Sequence, residues 1–464
     1  MVEAIANSIE DYLIDGLSFK MRPGASYVID RQSVTYHPAG SNIYRPAGGT
    51  KLVKINLTGD NWLDPSTVRV MFDLRNMASI VLDPVATPIL RPLGNPYSFF
   101  RRMRILVNGA IVEDIDNFNR VSELFSILSP KDYRINEDME GFGKTYDHGL
   151  PNPITTNMTS VTYTGINPSK AQTVLFTPLS GLLKQKKFIP LRYAPITIEL
   201  ELVDNMTDPI IKVGTNFPSA TTSVNWQIEN VQLKCDVCTL DNALDNSYAQ
   251  YLLSGKSLAI NYNTYISQLQ SMISAANIGQ KAIRLNVNRS LSRLKSIFVT
   301  LIAPPIPALY VNSLEVIARD WNYFYSPMFV TSAGSNSGDL KHDELDEFEA
   351  QIQIGSKQFP VYPIRSHAES FSQLMKTMGI NSNKSFNFDI TPHEYRTIKF
   401  VWATDTEKII EAGFTGHNTM AGDNISISFT HKSSEEERYA VGMQIILHAD
   451  CIMEIRDSGV EVSQ

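Results

Sequence analysis

The stretch PYSFFRRMRILVNGAIVEDID, residues 96–116, sets three arginines (Arg101, Arg102 and Arg104) within four positions and three acids (Glu113, Asp114 and Asp116) shortly after. Asn108-Gly109 separates the two groups, with alternating apolar residues on either side. That dipeptide is the strongest short-range signal for a β-hairpin, because a type I′ turn needs positive φ at both central residues. Centring the turn there sets Val107 opposite Ala110, Ile105 opposite Val112, Arg104 opposite Glu113 and Arg101 opposite Asp116. Each opposite-charge pair across a ladder contributes about 0.2–1 kcal/mol. The basic cluster is therefore expected to meet acids of its own hairpin, and a phosphate-binding patch is the weaker reading.

Beyond the hairpin, DNFNRVSELFSILSP places Phe118, Val121, Leu124, Phe125 and Leu128 at helical spacing, and Pro130 stops the run. The same unit of strand, two-residue turn, strand and helix recurs in IQIGSKQFPVYPIRSHAESFSQLMK, residues 352–376. Ile352 and Ile354 take the places of Ile105 and Val107, and Gly355-Ser356 takes that of Asn108-Gly109. Phe359 then matches Val112, Tyr362 matches Ile115, and Phe371, Leu374 and Met375 match Leu124, Ile127 and Leu128. The two halves also end alike, with ITIELELV before VQLKCDVC and ISISFTH before MQIILHADC. Two related halves imply duplication of one unit.

The rest of the chain is strand-rich. Segments 51–59, 66–76, 195–204, 226–237, 294–304, 348–355, 396–404, 424–431 and 442–455 favour β-branched and aromatic residues, often in alternation. The 24 prolines and 25 glycines fall mostly between them. Helical spacing is confined to the N-terminus, 118–129, 241–253 and 366–378. The expected class is all-β, as sandwich or barrel. The expected division is an N-terminal helical arm (1–24), a first β unit (25–240), a connector (241–255) and a second unit with the C-terminal tail (256–464).

Bulk properties narrow the function. A net charge of −7 opposes general affinity for nucleic acid, which rests on a positive field. Three cysteines are too few for a disulfide framework. Cys235 and Cys238 form a C-x-x-C, but they sit in a strand-like run with no second pair, so buried reduced thiols are expected and a metal site is not. No run of 18 apolar residues spans a bilayer, and Glu3 stands where a signal peptide carries positive charge. Ile5, Ile9, Leu13 and Leu17 instead line one face of a short helix, read as an arm toward a protein neighbour.

Catalytic patterns fail one by one. Gly141-Phe142-Gly143-Lys144-Thr145 resembles the end of a phosphate loop, yet Asp138 holds the place of its first glycine and Glu137 and Glu140 stand nearby. The eight histidines show no metal-ligand spacing, and His393-Glu394 is read as part of a loop beside Pro392. The acidic run LKHDELDEFE (340–349) lacks the glycine and rhythm of a calcium loop. No catalytic, cofactor-binding or metal residue is therefore assigned, and the chain is expected not to be an enzyme.

NLTGDNWLDPSTVRVMFDLRN (56–76) followed by SFFRRMRILVNGAIVEDIDNFNRVSELF (98–125), within a duplicated β chain, resembles the double jelly-roll major capsid proteins. Those of polinton-like viruses and virophages, in the lineage that includes adenovirus hexon, are the nearest in wording. The resemblance implies two consecutive eight-stranded antiparallel jelly-roll sandwiches with a few short helices. It further implies homotrimers, pseudo-hexameric in outline, that tile the shell of an icosahedral double-stranded DNA virus. Partners would be neighbouring capsomers, a single jelly-roll penton protein and minor or cement proteins, often over an internal membrane, with no sequence-specific nucleic-acid binding. The location would be the virion, after synthesis in the host cell without a signal peptide. The alternative is a duplicated β-sandwich that binds carbohydrate or serves in attachment.

Overall fold

The structure, a computed structural model, describes residues 27–464 apart from 48, 80–88, 143–164, 214–220, 272–281, 304–320, 328, 332–339, 343–346, 381–387, 389, 410–413, 421 and 433–439. The N-terminal arm, residues 143–145 of the phosphate-loop lookalike and much of the acidic run at 340–349 lie outside the described residues.

Period-two alternation gives each strand one apolar face, and two such faces bury each other. In the first half the principal strands are β1 (Val28–Tyr36), β2 (Leu52–Leu57), β3 (Trp62–Asn76), β4 (Phe100–Val107), β5 (Ala110–Asp116), β6 (Ala171–Phe176), β7 (Ile196–Leu202) and β8 (Trp226–Leu240), with short strands at Ile43–Tyr44, Ile89–Pro92, Ile189–Pro190, Ile210–Val213 and Thr221–Thr222. The second half has β9 (Leu258–Ser271), β10 (Ala282–Val287), β11 (Leu294–Ile302), β12 (Glu347–Ile354), β13 (Lys357–Ile364), β14 (Trp402–Asp405), β15 (Ile425–Lys432) and β16 (Gly442–Arg456), followed by β17 (Gly459–Ser463) beside β16. The sheets of the first half run β1-β8-β3-β6 and β2-β7-β4-β5. Those of the second run β9-β16-β11-β14 and β10-β15-β12-β13. Adding eight to every label turns the first pair of sheets into the second, so the duplication holds strand by strand. These neighbours pair antiparallel in both halves, and this strand order is the jelly roll.

Helices fill the crossings: α1 (Phe118–Ile127), α2 (Lys131–Glu140), α3 (Gly181–Lys184), α4 (Asn242–Leu253), α5 (His367–Thr377) and α6 (Pro392–Thr397). Each sandwich is filled from both inner faces. In the first, Val53, Ile55, Met103, Ile105, Ile198 and Leu200 pack against Val70, Phe72, Val174 and Leu233. Burying one such side chain is worth about 1.5–3 kcal/mol. In the second, Ala350, Ile352, Ile425 and Ile427 meet Ile297, Ile445 and Leu447.

Asn108 and Gly109 take φ of 49° and 83°, the two positive values of a type I′ turn. The expected register holds at Val107↔Ala110 and then breaks: Leu106 pairs with Ile111, but Ile105 pairs with Glu113 and Arg104 with Asp114. Val112 is the extra residue of a β-bulge, which buries Val112 and Glu113 in succession. The expected Arg104–Glu113 pair is thus corrected. Arg104 lies 3.7 Å from Glu199, Arg102 holds Asp114 at 2.6 Å, and Arg101 reaches Asp116 at 3.9 Å and also Asp204. Arg102 and Arg101 thus meet acids of their own hairpin, as expected, whereas Arg104 is paired by the neighbouring strand β7 and Arg101 is shared with the loop residue Asp204.

The second hairpin begins in the expected register, Ile354↔Lys357 and Ile352↔Phe359, then skips to Ala350↔Ile364. Three extra residues therefore loop out of β13, so that Ile364, and not Tyr362, is the buried match of Ile115. Two further expectations shift. Arg396 and Thr397 belong to α6, so the strand expected over 396–404 begins only at Trp402. Glu394 closes a capping box with Thr391 at the start of that helix and reaches Lys399 at 3.1 Å, which replaces the loop reading of His393-Glu394.

Candidate functional site at the junction of the two sandwiches

A buried polar construction joins the two sandwiches. The bulge in β5 turns the Glu113 carboxylate inward, where the residue is 1% exposed. There it accepts hydrogen bonds from Ser180 Oγ, from the backbone N–H of Gly181 at 2.9 Å and from that of Leu182 at 3.4 Å. Burial pushes its pKa up to about 7, because desolvation outweighs the three donors and the nearby Lys184 charge. The donors lie at the start of α3, which packs directly on β9. A Cβ added to Gly181 would stand 1.5 Å from the Asn263 carbonyl oxygen, so only glycine allows this approach. One residue before Asn263 on β9, Tyr262 Oη donates to the Val112 carbonyl at 3.0 Å.

Helix α1 forms the rest of the junction. Its Phe118, Val121 and Leu124 enter the first core as the sequence requires. On the opposite side Arg120, 3% exposed, extends into the second sandwich. Its Nε donates to Gln444 Oε1 of β16 at 2.7 Å, Nη1 to the Tyr323 carbonyl at 2.9 Å, and Nη2 to Thr300 Oγ1 and the Leu301 carbonyl of β11 at 3.2 and 3.1 Å. The guanidinium also lies 4.6 Å from the Phe324 ring centroid. Phe125 adds a tilted ring contact to Tyr265 and an edge contact to Phe298, with ring centroids 4.5 and 5.2 Å away. Glu123 faces α2, pairing with Arg134 at 2.8 Å and accepting from Tyr97 Oη at 2.6 Å.

This arrangement can hold two sandwiches in one fixed orientation. Among the described residues, no three His, Cys, Asp or Glu side chains gather as a metal set. Cys235 and Cys238, three positions apart on the extended β8, are both buried free thiols, as is Cys451 on β16. Desolvation pushes Cys235 and Cys451 up to about 12, which keeps them as thiols. Gly141 caps the end of α2 and Phe142 is buried against Phe99, so a helix precedes this part of the phosphate-loop lookalike. A cleft of about 110 Å³ lies between α2 and β6 and is lined by Arg69, Tyr97, Tyr133, Glu137 and Glu140. It contains no nucleophile beside a base. Among the described residues, no helix is long and apolar enough to cross a membrane.

The sequence located the hairpin and the apolar stripe of α1 but did not mark Glu113 or Gly181 as junction residues, and marked Arg120 only weakly. Arg120 falls on the polar side of an amphipathic helix, where solvent is the ordinary expectation. One signal was present: the second copy of the helix has no arginine between Ser366 and Phe371.

No family model matches the sequence, and no curated protein matches it either. Solved structures do. The chain aligns with the PBCV-1 virus capsid at 11% identity and TM-score 0.59, covering 96% of this chain and 99% of that one. It aligns with the Faustovirus major capsid protein at 11% identity and TM-score 0.53, covering 96% and 94%. With the Sputnik virophage solved by cryo-EM the values are 10% identity, TM-score 0.57 and coverage of 96% and 90%. The chain therefore shares, over 96% of its length, the fold of these viral chains, with two jelly rolls in tandem on one polypeptide.

Proposed function

We propose that this chain is the major capsid protein of an icosahedral double-stranded DNA virus, built into the virion as a homotrimeric, pseudo-hexameric capsomer. The observation that carries the reading is the strand-for-strand duplication, locked at the buried junction around Arg120 and Glu113. A rigid pair of near-equivalent sandwiches gives one chain two similar lateral faces, and three such chains surround an axis with six. The fold shared with the PBCV-1 and Faustovirus capsid chains supports the same assignment. Residues 25–240 and 256–464 are the two building units, joined through 241–255. Neighbouring capsomers, a penton protein at the fivefold vertices and minor proteins are the partners of this reading, and the role is structural without catalysis.

Sedimentation of the purified chain tests it. A species of three times 51.9 kDa that forms sheets or shells at higher concentration is expected. A stable monomer that binds glycans contradicts it.

A further inference from the structure

Helix α2 turns a polar stripe inward. Tyr133, Asn136, Glu137 and Glu140 recur at i, i+3, i+4 and i+7, the spacing that ordinarily carries apolar side chains toward a core. Here that stripe lines the cleft of about 110 Å³ facing β6, while Ile135 and Met139 stand 51% and 82% exposed. The last turn of α2 also opposes the helix dipole. It carries Glu137 and Glu140 and no basic residue, although the partial negative charge of a helix C-terminus favours cations. Among the described residues neither acid forms an ion pair. Glu137 Oε2 accepts from Ser126 Oγ at 3.2 Å. Burial raises the pKa of Glu137 above the ordinary carboxylate value, and a cation beside it would favour the charged form.

A second, independent feature points the same way. Asn95 occupies the N-cap of the 3-10 turn Pro96–Phe99, where an Asn side chain ordinarily accepts from the backbone. It makes no such bond. The residue is 4% exposed and lines the same cleft, and its Oδ1 is buried without a hydrogen-bond partner. A Cβ built on Gly141 would stand 3.4 Å from that oxygen and 3.4 Å from the Glu137 carbonyl oxygen, so the orphaned acceptor lies against the C-terminus of α2. Leaving a buried acceptor unpaired is costly, and a bound donor removes that cost. The nearby cations are already engaged. Arg69 Nη1 donates to the Ser66 and Val68 carbonyls at 3.2 and 3.0 Å, and Arg134 is held by Glu123 at 2.8 Å. Lys184, outside the lining, is divided between Glu137 and Glu113.

We propose that this cleft binds a primary alkylammonium group, with its charge against Glu137 and Glu140, an N–H toward Asn95 Oδ1, and its alkyl stem along Tyr97, Tyr133 and Leu175. The class follows from the lining. Carboxylates, an amide oxygen and a helix C-terminus all favour positive charge, and tyrosine rings attract cations as well. Calcium fits less well, because it needs many oxygen ligands and no three acidic, His or Cys side chains gather among the described residues. The volume suits one side chain and falls well below the roughly 300–1,000 Å³ that drug-sized ligands fill. A free polyamine and a lysine of another protein present the same ammonium. The inference does not depend on the capsid reading.

Calorimetric titration of the full chain tests it. The probes are butylamine, cadaverine, N-acetyl-lysine methylamide, its uncharged analogue N-acetyl-norleucine methylamide, and calcium chloride. Saturable binding of the amines, and none of the norleucine compound, is expected. Tighter binding of cadaverine than of the lysine compound identifies a free polyamine as the source, and the reverse order a lysine side chain. Glu140→Gln changes an exposed side chain, so melting without ligand is expected to match wild type while amine affinity falls about tenfold. Glu140→Lys sets the chain's own ammonium at the cleft and is expected to abolish amine binding with circular dichroism unchanged. Equal affinity for the lysine and norleucine compounds, unchanged amine affinity in Glu140→Gln, calcium binding in place of amines, or no binding of any probe would each overturn the proposal.

Discussion

Arg120 Nε stands 2.7 Å from Gln444 Oε1, tying the helix after the first outer hairpin to the last long strand of the second sandwich. The same guanidinium satisfies Thr300 and two backbone carbonyls, so one side chain serves four acceptors across the junction. Removing it leaves those acceptors buried without this donor. Arg120→Met is expected to cost about 2–5 kcal/mol in urea unfolding. Arg120→Lys should recover little of that, because one ammonium cannot span the fork. Wild-type stability in either variant would remove Arg120 from the junction's energetics.

Gly181 tests the closeness of the approach. Any Cβ there meets the Asn263 carbonyl backbone, which cannot rotate away. Gly181→Ala is expected to separate α3 from β9 and raise amide exchange in residues 258–271 well above wild type. Unchanged exchange there would show that the two halves do not pack this tightly.

Glu113 gives the junction a pH dependence. Its folded pKa of about 7 lies above the ordinary 4.5, so the native state binds more protons than the unfolded state between those values. The stabilisation is complete below about pH 4.5 and is lost as pH rises through 7. At about 1.4 kcal/mol per pKa unit, this group contributes a fall of roughly 3 kcal/mol across the window. Unfolding measured from pH 4.5 to 8 should show that decline, and Glu113→Gln should flatten it. An equal slope in the variant would assign the dependence to other groups.

The hairpin turn supplies a backbone test. Asn108 sits at φ 49°, which proline cannot reach, so Asn108→Pro is expected to abolish soluble folded protein. Asn108→Gly, which fits the same region, should stay within about 1 kcal/mol of wild type. Soluble, folded Asn108→Pro protein would refute the turn.

The fold was legible where local chemistry and global structure agree. Asn108-Gly109, the alternation in 226–237 and 442–455, and the repeated hairpin-helix unit marked a duplicated sandwich directly. The edge strands β1, β6, β9 and β10 escaped notice. β1, at an open edge, is exposed on both faces over residues 28–33, so its sequence shows no alternation. In β9, Asn261, Asn263, Ser267 and Gln268 blur the alternation. The bulges were missed as well: the one extra residue in β5 leaves no compositional mark, and Pro360 and Pro363, which bracket the irregularity in β13, show a break without its length. The first turns Glu113 into the junction, and the second brings Tyr362 outward. Arg120 was illegible because its burial comes from residues about 180–320 positions away in the chain.

Cryo-EM of the purified, assembled chain addresses the capsid role most directly. The expected image is a capsomer of three chains with six sandwich-shaped densities around a threefold axis. A twofold dimer, or particles containing only one pair of sandwiches, would contradict it.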